Sequence, residues 1–264
     1  MDLEVLLSTM YQKDDTFLRN MNLETNCLAI NQTNTDKEIY HKGYNYRIIS
    51  TYERGLSRSR NMAIDNMEGD ICILSDDDVE YVEGYSKIII DEFEKNPDYD
   101  ILAFMVEGKD KKFKEYSKKE KRLGYITSLK VSSVEIAFKA ESIKKNNIKF
   151  NELLGTGSLF YMGEENAFLY TCLRKGLRIK YIPKKIADIY VGNSTWFNGF
   201  DKEYFVNKGA AFTGMTKRAS IFLIIQFAIR HYINYKDSLS FINAFKNMLR
   251  GRKVYISKVK ELNL

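Results

Sequence analysis

"ICILSDDDVEY" (71–81) decides how the rest of the chain is read. Four apolar residues, Ile71 to Leu74, run through Ser75 into three aspartates, Asp76, Asp77 and Asp78. A short, continuous apolar run suits a strand buried on both faces. Three adjacent carboxylates repel one another and need either water or a cation. Taken alone, the triplet reads equally well as a solvated acidic turn. Placed at the end of a buried strand, it lies where open α/β sheets keep their ligands.

Working outward, "LEVLLST" (3–9), "CLAIN" (27–31), "NYRIIST" (45–51) and "DILAFMVEG" (100–108) are runs of the same kind. Between them, "KDDTFLRNMNL" (13–23) and "GLSRSRNMAIDNM" (55–67) carry helical spacing, and a helix is expected over 84–96, ending before "NPDYD". Strands that alternate with helices predict an α/β fold with a mostly parallel central sheet flanked by helices. Ser8, Thr9, Asn31 and Asp76–Asp78 all fall at strand carboxyl ends, so they form the candidate site. "KDKKFKEYSKKEKRLG" (109–124), with eight basic and three acidic residues, is expected to be a solvated hairpin or a mobile loop.

Composition narrows the class. The 264 residues are 44% hydrophobic and 29% charged with two prolines, enough for a real core and against global disorder. The net charge of +6 is unevenly placed: residues 201–264 hold twelve Lys/Arg against four Asp/Glu. Cys27, Cys72 and Cys172 form no paired motif and read as small buried apolar residues of a reducing compartment. "MDLEVLLSTM" lacks a signal-peptide pattern, and "ASIFLIIQFAI" (219–229) is far short of the roughly 20 residues that span a bilayer. A cytoplasmic protein is expected.

The aspartates offer hard oxygen ligands for Mg²⁺ or Mn²⁺, which in turn grip a diphosphate. In "GLSRSRNMAIDN" (55–66), Ser57 is placed to cap a helix that presents Arg58 or Arg60 to an anion. "YMGEENAFL" (161–169) opens a helix expected to run to Lys175 and stop at Gly176. Acidic residues in a first helical turn also simply complement the helix dipole.

Together, "VLLSTMY" (5–11), "LAINQT" (28–33), "GLSRSRNMAI", "ILSDDDV", "YMGEENAFL" and "STWFNGFDKEYFVNKGA" (194–210) occur in an order that resembles the family 2 glycosyltransferases. The likeness covers about four-fifths of the chain. It is closest to the bacterial members that build capsular, cell-wall or exopolysaccharide units. The resemblance implies a GT-A (Rossmann-like) domain over 1–210, with a helical basic extension over 211–264. It also implies inverting transfer from a nucleotide sugar, with uridine diphosphate the commonest carrier in the family, to a glycan or lipid-linked acceptor. By the same resemblance, Ser8, Thr9 and Asn31 face the base with Arg60 nearby. Asp76 lies near the ribose, and Asp77 and Asp78 are the first candidates for the metal. Ser75 stands where the family's Asp-x-Asp-Asp pattern begins, so the alignment within the triplet is open by one residue. The family's general base falls on Glu165, one methylene longer than the usual Asp, with Glu164 beside it.

Relatives often supply a metal-binding histidine near "DIYVGNSTW" (188–196), but the histidines here are His41 and His231. Asn193, Ser194 or water would then complete the coordination. His41 sits in the polar "IYHKGY" stretch and reads as a solvated side chain. Trp196 suits either an acceptor-stacking or a core role, and Lys208 either a diphosphate contact or a surface position. The apolar "RASIFLIIQFAIRHYINYK" (218–236) followed by "KNMLRGRKVYISKVK" (246–260) is either a core helix with a solvated basic tail or an interfacial helix at an anionic membrane. Two other classes fit worse. A nucleotidyltransferase would need a glycine-rich phosphate loop after the first strand, and "STMYQKDDTF" has no glycine. A nucleic-acid binder would need a basic main site, and this one is acidic.

Overall fold

A computed structural model of the chain describes residues 1–34, 39–42, 45–191 and 199–263. Asn193, Ser194 and Trp196 lie outside the described residues. The strands are β1 (Leu3–Met10), β2 (Asn26–Gln32), β3 (Ile39–Lys42), β4 (Tyr46–Thr51), β5 (Ile71–Asp76), β6 (Val79–Tyr81), β7 (Ile101–Gly108), β8 (Lys121–Leu123), β9 (Ile136–Lys139) and β10 (Ile179–Ile189). They form one sheet in the order β3-β4-β2-β1-β5-β9-β7-β10-β6, and β8 also pairs with β10. The helices are α1 (Leu56–Asn66), α2 (Tyr85–Lys95), α3 (Ala140–Lys145), α4 (Glu164–Arg174), α5 (Lys202–Met215), α6 (Ser220–Arg230), α7 (Tyr232–Tyr235) and α8 (Phe241–Glu261).

Four expected strands stand side by side and parallel, as β4-β2-β1-β5. Their register does the positioning. Ser50, Asn31 and Thr9 are successive partners across three strands, and Ser8 stands opposite Asp76. The other half of the sheet is mixed: β9 runs antiparallel between β5 and β7, while β7 and β10 are parallel. This is the helix-flanked central sheet that the resemblance implies.

Alternating side chains split the core in two, as the pleat requires. Leu6, Leu28, Ile30, Cys72 and Leu74 face α1, α3 and α4, where they meet Ala63, Ile143 and Phe168. Val5, Leu7, Cys27, Ala29 and Ile73 face the other way, onto Ile89 and Phe93 of α2. The three cysteines are buried and unpaired, with thiols that burial pushes far above their usual range.

Several local expectations change. The segment 13–23 forms a short 3-10 helix, Thr16–Met21, rather than an α-helix. His41 lies in β3 opposite Ile48, not in a loop. The basic stretch 109–124 is not a free solvated loop, because its two aromatics are drawn inward. Phe113 and Tyr116 pack on the core, Lys114 pairs with the buried Glu135, and residues 121–123 add a strand to β10. Residue 210, taken as the end of the first unit, lies inside α5.

Helices α5 to α8 build a third core with Leu154, Phe160, Ala167 and Tyr170. It turns on one crossing. A Cβ on Gly209 would lie 2.0 Å from the Met248 carbonyl oxygen, and one on Gly251 would lie 1.9 Å from that of Val206. Backbone touches backbone, so neither helix has room for a methyl group. Helix propensity alone would favour alanine over glycine by roughly 1 kcal/mol. Overpacking of this kind typically costs about 1–3 kcal/mol and acts in the opposite direction. Gly251→Ala is therefore expected to lower stability, read as a lower urea midpoint with an unchanged denaturant slope. An unchanged or raised midpoint would show that α8 is not seated on α5 this closely.

Candidate active site

The site is assembled around Arg60, a fully buried arginine on α1. Gly55, with φ of 113°, is the N-cap of α1. Ser57 is not the cap: it lies within the first turn and donates to the Leu154 carbonyl at 2.6 Å. That bond fixes α1 against the glycine-rich turn 155–157. From α1, the Arg60 guanidinium donates to Glu164 Oε1 at 3.0 Å and to Asp76 Oδ1 at 3.2 Å, over the Phe150 ring. Burial works against its charge, but Asp76, Glu164 and Glu165 more than offset that penalty and keep it cationic.

The three aspartates diverge. Asp76 faces Arg60. Asp77 turns toward the end of β1, where its Oδ2 accepts from Thr9 Oγ1 and, at 3.2 Å, from Gln12 Nε2. Asp78 meets no ion-pair partner among the described residues. The walls around it, then the charges of Asp76 and Asp77, push its carboxyl up to about 6. Asp76 and Asp78 line one cleft together with Arg60, Glu164 and Glu165. Among the described residues, no three metal-binding side chains converge on one point.

Helix α4 delivers the glutamates. Its N-cap, Gly163, has φ of 86°, and a Cβ there would meet the Ala211 Cβ at 2.7 Å. Glycine thus serves both the backbone conformation and the contact with α5. The next two residues part company. Glu164 is buried and held by Arg60. The Glu165 carboxyl has no ion-pair partner among the described residues and takes a hydrogen bond from its own backbone N–H. Burial, and then the charge of Glu164, push it up to about 8, against the pull of Arg60 and Lys208. A carboxyl free of ion pairs, in a cleft that also holds three other carboxyl groups and an arginine, is chemically equipped to accept a proton.

Other expected residues are accounted for less directly. Ser8 accepts from Ser59 Oγ at 2.8 Å. Asn31 is buried and braces the end of β1, accepting from the Gln12 N–H and donating to the Gln12 carbonyl and Ser50 Oγ. Arg58 pairs with Glu152 at the surface. Lys208 is not a surface lysine, because its own helix presents aromatics one turn to either side. The ammonium lies 5.4–5.9 Å from the rings of Tyr204, Phe212 and Phe227. Burial lowers its proton affinity, and Glu165 partly restores it.

The sequence did not single out Phe113, Ser132, Ser133 or Tyr161, which complete the cleft wall. A signal was present in Ser132-x-x-Glu135, where the two side chains form a reciprocal capping box. Glu135 also accepts from Tyr116, which ties the 109–135 segment onto the cleft.

A family model described as Glycosyl transferase family 2 matches residues 30–163, just over half of the chain. Among solved structures, S. aureus TarS 1-349 in complex with UDP-GlcNAc is similar with a TM-score of 0.66 at 14% identity, covering 95% of this chain and 81% of that one. The same fragment without the complex gives 0.65 at 13% identity over the same shares. A longer TarS structure gives 0.60, with 88% of this chain covered and 44% of that one. At such identities the likeness is one of fold, and it agrees with the GT-A arrangement. No curated protein sequence matches the chain. The chain belongs to glycosyl transferase family 2 and is a glycosyltransferase.

Proposed function

We propose that the chain transfers a sugar, with inversion, from a uridine diphosphate sugar to a hydroxyl of a glycan or lipid-linked acceptor in bacterial surface polysaccharide synthesis. One observation carries the reading. Glu165 is a carboxyl with no ion-pair partner among the described residues, in the cleft that also holds Asp76, Asp78 and Arg60. The fold-level likeness to TarS, crystallised with UDP-GlcNAc and with UDP, supports the choice of donor.

In this reading the base lies along the ends of β1, β2 and β4, near Thr9 and Asn31. The diphosphate lies toward Asp76, Asp78 and Arg60. As the acceptor oxygen attacks the anomeric carbon, its proton passes to Glu165 in its carboxylate form, the minority form in the free protein below about pH 8 and a strong base for that reason. The bond from that carbon to the diphosphate oxygen breaks, and its electron pair leaves with the nucleoside diphosphate. Glu164 stays on Arg60 and holds α1 and α4 together. Lys208 sets the local potential around Glu165 from its aromatic surround.

A divalent cation fits the donor set. Asp78 carries uncompensated negative charge, Asp76 lines the same cleft, and Mg²⁺ or Mn²⁺ commonly uses one or two carboxylates with water and substrate phosphate. When bound, it would neutralise charge on the departing diphosphate. Asp77, turned to Thr9 and Gln12, is assigned the support of the β1 end instead.

Two expectations follow from the unequal glutamates. Glu165→Gln should keep donor affinity and lose about 10²–10⁴-fold in transfer rate. Glu164→Gln should mainly lower stability by weakening the pairing with Arg60. Steady-state transfer, with UDP binding measured separately by calorimetry, separates them; near-normal turnover by Glu165→Gln would move the base elsewhere. Asp78→Asn should weaken Mn²⁺-dependent UDP binding in the same calorimetry, and wild-type affinity would remove Asp78 from the metal assignment.

The free protein gives a second readout. Folded Glu165 holds its proton up to about 8, whereas an ordinary glutamate loses it near 4.5. Between those values the folded form binds more protons, so stability falls as pH rises through the window. Glu165→Gln should flatten that decline, seen as a melting-temperature advantage over wild type that grows from pH 5 to pH 8. A constant difference across the range would show that Glu165 titrates normally.

A further inference from the structure

The outward face of α6 is apolar where a folded surface should be polar. Leu223, Ile224, Phe227 and Ala228 enter the core. On the opposite side, Ile221, Ile225 and Ile229 recur every four residues with Phe222 beside them, and all four are exposed. Exposure reaches 61% for Phe222 and Ile229, 74% for Ile233 and 62% for Ile242. The patch is continuous at both ends. Phe222 shares a hollow with Tyr125 and Ile126, and the Tyr125 ring packs on Tyr170 of α4. At the other end, the Tyr232 ring meets Phe241 at the start of α8. Contiguous apolar surface on this scale marks an interaction site.

Its charge surround names the partner. Residues 217–264 hold ten Lys/Arg against two Asp/Glu, a net +8, while residues 1–216 carry −2. Lys217 and Arg218 stand exposed at one end of α6, Arg230 at the other, and Lys236 just after α7. Among the described residues, the ion pair of this region joins Lys258 to Glu261, so those four cations are left without a carboxylate. A second copy of the chain would bring two such positive faces together and be repelled. A bilayer with anionic headgroups offers acyl chains to the isoleucines and phosphates to the rim. Spanning is excluded by length: α6 has 11 residues, about 16 Å, against roughly 30 Å of hydrocarbon. No helix among the described residues is long and apolar enough to cross a membrane.

We infer that the outer face of α6 and α7, extended by Tyr125, Ile126, Phe241 and Ile242, docks peripherally on an anionic lipid bilayer. The inference deepens the proposed function by giving it a surface on which a lipid-linked acceptor lies, and its test does not require transfer activity. Flotation of the full chain with phosphatidylcholine vesicles, and with vesicles that also contain phosphatidylglycerol, reads it directly. Binding is expected to the anionic vesicles alone and to decline with added salt. Phe222→Ser with Ile233→Ser should weaken it about tenfold or more through lost apolar burial. Lys217→Glu with Arg218→Glu should reduce the preference for anionic lipid. Both variants alter exposed side chains and should bind UDP and melt as wild type does. Equal binding to neutral and anionic vesicles, no binding, or wild-type binding by the first variant would overturn the inference. So would a concentration-dependent dimer, seen by sedimentation, that the same serine variant dissociates. Loss of UDP binding with intact flotation would instead defeat the functional reading and leave the surface standing.

Discussion

The candidate site depends on one buried cation. Arg60 has three chain segments around it: α1 carries it, Asp76 ends β5, and Glu164 begins α4. Taking a guanidinium out of water is expensive, and only close, hydrogen-bonded carboxylates offset the cost. Asp76 comes from the next element along the chain and Glu164 from one 104 residues away, so the full set of pairs forms only when sheet and helices are assembled. Removing one partner would leave the other charge in a poorly solvated place, which typically costs several kcal/mol. The arrangement is weak evidence for net stability. It fixes where the aspartate triplet and the α4 N-terminus stand relative to each other.

The same cation divides the labour of two adjacent glutamates. Successive residues on a helix point about 100° apart, so one residue of a pair reaching Arg60 leaves the other aimed elsewhere. Glu164 is taken up as a structural counter-ion. Glu165 keeps its carboxyl out of any ion pair among the described residues, and its proton affinity rises through burial and the negative charge next door. Lys208 opposes that rise, yet its own neighbours are ring faces rather than carboxylates. Those ring faces interact favourably with its ammonium, while burial lowers its proton affinity. The result is a graded field across a few residues: paired at Glu164, unpaired at Glu165, and cationic beyond.

How much of this was legible in the sequence varies with the physics. The parallel strands could be read because strands buried on both faces are continuous apolar runs, and their ends placed Ser8, Thr9, Asn31 and the aspartates together. Strands of three or four residues, such as β6, β8 and β9, carry too little pattern to show a period. The 109–124 segment misled because its charge count outweighs two aromatics, although Phe113 and Tyr116 decide where it lies. Ser57 misled for a similar reason. A serine near a helix start resembles a cap, but Gly55 takes that position and the hydroxyl serves Leu154 instead. The divergence of Asp76, Asp77 and Asp78 was beyond reach, since it depends on which partner each meets across the sheet. So was the contact of Gly209 with Met248, which is a property of two helices and not of either segment.

Helix α4 connects the two surfaces that matter most. Its first turn carries Glu164 and Glu165, and its later turns carry Tyr170 and Arg174, which line the hollow beneath Phe222. Eleven residues of helix rise about 16 Å, so the cleft and the edge of the apolar face are separated by one short rigid element. The fit against α5 is tight at Gly163, where even a methyl group would strike Ala211. Because α5 is in turn locked to α8 through the glycine crossing, the C-terminal helices cannot shift without disturbing the start of α4. With the docking inferred for the outer face of α6, that mechanical continuity would fix how the cleft sits above the bilayer. A tail on a flexible tether could hold the chain near a surface, but it could not set the orientation of the cleft toward that surface. A helix packed backbone to backbone can.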